Sequence, residues 1–137
     1  MISVLIKPTN RSPVQNNRDQ KIIKSFLEKE KIDNVEVSLI FVKSQAMRQL
    51  NKHYRGIDQV TTVLTFSQQE KKEGQAFPES PRKLKILGDL IICLEEAEKK
   101  GYSLEELLVH GLKNLIKVNE RQPGLSSQIS SSKNLRT

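Results

Sequence analysis

The chain has 137 residues, 36% hydrophobic and 28% charged, which suits one domain with a modest core. Its net charge of +7 fits a polyanion partner such as RNA, or serves solubility alone, while 4% aromatic content argues against base stacking as the dominant mode of binding. A single cysteine, Cys93, excludes a disulfide framework and fits a reducing cytoplasm, and no apolar run is long enough to span a membrane.

Residues 2–7 alternate as a first strand, too short for a signal peptide. Residues 8–17 carry Pro8, Pro13 and three Asn and read as a loop. Ile22, Ile23, Phe26 and Leu27 give residues 18–30 one apolar helical side. Residues 35–42 alternate and then turn wholly apolar, as a buried strand does. Ser44 is placed to cap a helix reaching about Arg55, with Ala46, Met47, Leu50 and Tyr54 inward. β-Branched residues from Thr61 to Phe66 predict another strand. Residues 67–84, with Gly74, Pro78 and Pro81, read as a long exposed loop. A strand over 85–93 and helices over 94–100 and 103–117, separated by Gly101, complete the pattern. In the last helix Ser103 and Glu106 form a capping box ahead of a stripe of Leu104, Leu107, Leu108, Leu112, Leu115 and Ile116. The fold expected is α+β: a small mixed sheet of about four strands packed with three to four helices. Residues 1–117 form the domain, and 118–137, rich in Ser and Gln, a disordered basic tail.

Four segments carry the functional signal. Asn51-Lys-His-Tyr-Arg55 ends a helix and is followed by Asp58; Thr61-Thr-Val-Leu-Thr-Phe66 and Ile86-Leu-Gly-Asp-Leu-Ile-Ile92 are strands; Val109-His110-Gly111 lies on the last helix. In order and spacing, over roughly residues 35–112, these resemble the YbeY family of bacterial rRNA-maturation endoribonucleases. That family typically shows an Asn-x-x-Tyr-Arg helix end, a Pro-Thr-Asp-Val-Leu-Ser-Phe strand and a Leu-Gly-Asp-Ile strand. Its metal helix carries His-Gly-x-x-His and is followed by Gly-Tyr-Asp-His. Val60, Thr62 and Thr65 stand here where the family pattern has Pro, Asp and Ser.

The resemblance implies a zinc held by His at positions 110, 114 and 120. A hydrolytic zinc takes about three protein ligands and keeps a position open for water, whose pKa it lowers. This chain has His110, but Asn114 and Glu120 at the other two positions, so zinc is expected to bind weakly or not at all. Arg55 is implied to be the catalytic and RNA-binding residue, because a guanidinium fork matches phosphate. Without the resemblance it is a solvated charge favouring the helix dipole. Asp89 is implied to support the site or the structure, where a carboxylate can orient a ligand His by accepting its free N–H. Cys93 reads as a small core residue, and His53 as a surface one.

The expected function is rRNA maturation in the cytoplasm, on the small ribosomal subunit, by metal-assisted hydrolysis of an RNA phosphodiester. Two alternatives stand beside it. One is a non-catalytic RNA- or ribosome-binding relative that kept the scaffold and lost zinc; the other is a truncated, poorly folded product. After Gly111 no signature residue follows, an edge that a frameshift, an altered exon boundary or gene decay would each produce.

Overall fold

The computed structural model describes residues 1–8, 10–67 and 84–120, with backbone only for 118–120. In chain order the elements are β1 (Ile2–Lys7), α1 (Pro13–Lys29), β2 (Val35–Phe41), α2 (Ser44–Arg55), β3 (Val63–Ser67), β4 (Lys85–Ile92), α3 (Leu94–Lys100) and α4 (Leu104–Glu120). The sheet order is β1-β2-β4-β3, with β1, β2 and β4 parallel and β3 antiparallel to β4. This is the α+β architecture expected: a four-stranded mixed sheet with four helices.

Strand alternation divides the core between the two faces of the sheet. Val37, Leu39, Leu90 and Ile92 pack against Ile23 and Leu27 of α1 and Leu107, Leu108, Leu112 and Leu115 of α4. Leu64 and Ile91 face the other way, with Met47 of α2 and Cys93. Cys93 is fully buried, as a small core residue should be. Gly88 sits where β2 and β4 slip register beside Glu36 and Val37. Its φ is +151°, and a Cβ there would stand 2.4 Å from the carbonyl oxygen of Phe66. Only glycine fits that crossing.

Several local expectations are corrected. The second element begins at Pro13, not at residue 18. Ser12 Oγ accepts from Val14 N–H at 3.2 Å and Gln15 N–H at 3.4 Å, and a proline in the first turn gives up no helical hydrogen bond. Ser44 is the first residue of α2, and its side chain makes no cap. Instead Glu95 Oε1, from α3, accepts both the Ser44 N–H at 2.8 Å and the Ser44 hydroxyl at 2.7 Å. A carboxylate placed there satisfies an orphan donor and favours the helix dipole. Met47 and Leu50 of α2 turn inward as expected, but Ala46 and Tyr54 are exposed. Asn51 takes the inward place, its Nδ2 donating to the Gln59 carbonyl oxygen at 2.9 Å.

A buried ion pair was not anticipated. Asp19, on α1, is fully buried and accepts from Arg11 Nη1 at 2.7 Å, with Arg18 Nε at 3.3 Å. The Arg11 guanidinium also lies 3.9 Å over the ring of Phe41. The helix α4 runs to Glu120, past the expected end at 117. The rest of the expected tail, and most of the expected 67–84 loop, lie outside the described residues.

Candidate nucleic-acid site at the edge of β3

The capping box at the start of α4 forms as its spacing requires. Ser103 N–H donates to Glu106 Oε1 at 2.8 Å, and Glu106 N–H to Ser103 Oγ at 3.1 Å. The leucine stripe then holds the helix on β3 and β4. Gly111 allows the close approach, since a Cβ there would stand 2.7 Å from Leu90 Cδ2 and 3.4 Å from Thr65 Cγ2. His110, just before it, is half-buried and borders an open cavity of about 440 Å³ on the outer side of α4, with Glu106 and Lys113 among its lining.

One turn on from His110, Asn114 is only 2% exposed, and its Nδ2 has no hydrogen-bond partner among the described residues. The Glu120 side chain lies outside the described residues. Among the described residues no three His, Cys, Asp or Glu come together as a metal-binding group.

Arg55 approaches the same strand from the other end of the site. Cys93 N–H donates to the Thr62 carbonyl oxygen, so Thr62 and Cys93 are a hydrogen-bonded pair in the antiparallel ladder. Alternation makes Leu64–Ile91 and Phe66–Asp89 the next such pairs, and turns the N–H and C=O of Thr65 outward. Among the described residues β3 is the outermost strand on this side. Arg55 Nη2 meets the outward carbonyl of Thr65 at 3.2 Å. Thr65 is therefore where the two ends of the site meet, its side chain toward Gly111 and its carbonyl on Arg55. Arg55 is half-buried, not the freely solvated charge that composition alone allowed.

Among the described residues, those around Arg55 include basic and aromatic side chains. The Arg55 guanidinium carbon lies 6.0 Å from the Phe66 ring centre. Tyr54 packs edge-on against Phe66 at 5.0 Å and against His53 at 4.5 Å. Asp58 accepts from Arg48 Nε at 2.7 Å, with Lys52 at 4.0 Å. The Arg48 hydrogen bond holds the Asp58 carboxyl below its ordinary value.

Asp89 lies on the face of the sheet away from α4. It lies opposite Phe66 in β3 and Ser38 in β2, on the face that Ile91 presents to α2, while Leu90 faces α4. Asp89 thus belongs to the Arg55–Phe66 side of the sheet. Thr65 and the rings of Tyr54 and Phe66 were missed as site residues; strand parity and the Tyr54-Arg55 pair were the signals available.

The family model described as Endoribonuclease YbeY matches residues 6–116. The chain belongs to the YbeY family. The match starts well before residue 35 and so takes in α1 as well as the motif-bearing segments. An Endoribonuclease YbeY of Thermoanaerobacter sp. is 39% identical over 110 residues, covering 71% of this chain and 69% of that protein. Those of Bacillus cereus and Aquifex aeolicus are 33% identical over 128 residues and 34% over 129, covering 84% and 88% of this chain and 82% and 79% of theirs. No helix among the described residues is long and apolar enough to cross a membrane.

Proposed function

We propose that this YbeY-family chain acts in rRNA maturation by holding single-stranded RNA along the outer edge of β3. The carrying observation is the placement of Arg55, whose guanidinium, a group that matches phosphate in shape and charge, donates to the Thr65 carbonyl at that edge. The net charge of +7 supports attraction of a polyanion. The relatives bear the name endoribonuclease, so the substrate class is RNA, and hydrolysis of its phosphodiester is the family reaction. The reading places the chain in the cytoplasm, with the small ribosomal subunit as the setting.

The donors on α4 do not fit a hydrolytic zinc. His110 is one imidazole, and Asn114 offers a neutral amide, a poor zinc ligand, where a third donor would have to come from a carboxylate such as Glu120. We therefore read zinc as weakly held or absent, and the chain as an RNA-binding relative more than a nuclease. Elemental analysis of the purified protein, paired with incubation on a single-stranded rRNA fragment, tests this. The expected result is well under one zinc per chain and bound, uncut RNA. One tightly held zinc, with cleavage abolished in Arg55→Ala, would establish the endoribonuclease instead.

A further inference from the structure

We propose that Arg48 and Lys52, one turn apart on the outer face of α2, form a phosphate-binding site that the Asp58 carboxylate occupies until RNA displaces it. The inference rests on the RNA-binding reading above and adds a site that reading does not include. Arg48 Nε donates to Asp58 Oδ1 at 2.7 Å, and Lys52 Nζ stands 4.0 Å from Asp58 Oδ2. All three side chains are exposed. Their i, i+4 spacing sets the two cations side by side, so one anion meets both.

A phosphodiester spreads one negative charge over two outer oxygens, as a carboxylate does. The groups that hold Asp58 are therefore groups that hold a backbone phosphate. Arg48 uses only Nε on Asp58, and its two amino groups donate to no described residue. The carboxylate, moreover, is not what holds its own loop in place. Gly56, at φ +72°, ends α2 and turns the chain back along it. Ile57 N–H then donates to the Asn51 carbonyl oxygen at 3.4 Å, and Asn51 Nδ2 to that of Gln59 at 2.9 Å. These bonds, one on each side of Asp58, set it beside α2 without its charge. An exposed ion pair contributes little to stability, so a ligand displaces it at small cost.

The occupant is a backbone phosphate of the same RNA strand that the β3 edge holds. Seven residues after Arg48, on the same stripe of α2, Arg55 donates to the Thr65 carbonyl oxygen at that edge, so the site lies in line with it. From Ser44 to Val60 Asp58 is the one acid in the sequence. The Arg48 hydrogen bond holds its carboxyl below the ordinary value, which keeps the blocking charge in place at neutral pH. A lone phosphate ion must compete with this tethered carboxylate. A strand already anchored at β3 brings its next phosphate at high effective concentration and wins. The device thus favours polynucleotides over free anions.

The test is a titration of labelled oligouridylate at several salt concentrations. The proteins are the parent, Asp58→Asn, the double variant Arg48→Gln with Lys52→Gln, and the triple variant that combines all three changes, each with its melting curve. Asp58→Asn is expected to bind about 1.5- to 5-fold tighter than the parent, the factor that opening one exposed ion pair costs. The triple variant should bind more weakly than Asp58→Asn, with a salt slope lower by about 0.7, as for one phosphate on a single strand. Between the double and triple variants, removal of Asp58 should bring no such gain. A gain of equal size in both backgrounds overturns the site, because it shows that any lost negative charge draws RNA in. A parent that binds, with Asp58→Asn binding no tighter, overturns the site and leaves the RNA-binding reading standing. If the amide disturbs the turn and lowers the melting curve, Asp58→Ser takes its place in the same comparisons. Absence of binding in every protein overturns the RNA-binding reading itself, and the site with it.

Discussion

Arg55 donates from Nη2 to the Thr65 carbonyl oxygen at 3.2 Å, tying the C-terminal end of α2 to the outward-facing backbone of β3. A single side chain thereby closes an edge-strand carbonyl. Arg55→Ala is expected to have two effects. The salt slope of RNA binding should fall by about 0.7, as for one phosphate on a single strand. Stability should fall by about 1–2 kcal/mol, the scale of a charged hydrogen bond to backbone. RNA titration and thermal unfolding on the same preparation read both; an unchanged slope with intact affinity would reduce Arg55 to a surface charge.

Asn114→His should raise zinc affinity. The new imidazole would stand one turn from His110 on one face of α4, the spacing a two-histidine zinc helix uses. A competition titration against a zinc chelator measures it. No gain over the parent would show that the helix face cannot turn both rings to one ion.

Glu95 links two helices through charge. Its carboxyl is held below its ordinary 4.5, first by the Ser44 hydroxyl and then by the Ser44 backbone N–H. A carboxyl whose pKa is depressed by folding stabilises the fold above its unfolded value, and that contribution is lost as pH falls through the lower folded value. Melting temperature should therefore decline below about pH 4.5 more steeply in the parent than in Glu95→Gln, and the variant should melt lower at neutral pH. Parallel declines in the two proteins would remove Glu95 from the acid response.

Arg11→Ala should be among the most damaging single changes. It would leave the fully buried Asp19 carboxylate with only the more distant Arg18 and would remove the cation over Phe41. Stranding a buried charge costs about 3 kcal/mol or more. Urea unfolding gives the value; a loss below about 1 kcal/mol, the level of an exposed pair, would mean that water reaches Asp19 in the variant.

What the sequence made legible was what local spacing controls. Ser103 and Glu106 announced the start of α4, and its leucines announced the buried face. Pro13 reads as a breaker because proline cannot sit inside a helix, yet Ser12 makes it the first residue of one. Tyr54 reads as inward from its spacing after Met47 and Leu50, but Asn51 holds the inward place and leaves the ring outside. Which face Asp89 occupies depends on strand parity past Gly88, where the register slips, so its position relative to His110 could not be read from its neighbours in sequence. The insertion of β4 between β2 and β3 and the pairing of Arg11 with Asp19 are likewise products of packing.

The most direct test of the central claim is the affinity of the parent chain for single-stranded RNA, measured once with a strong zinc chelator and once with added zinc. If the β3 edge holds RNA through Arg55 and its neighbours, both affinities agree within twofold and both fall with rising salt. Binding that appears only with zinc, or no binding in either condition, would contradict the account.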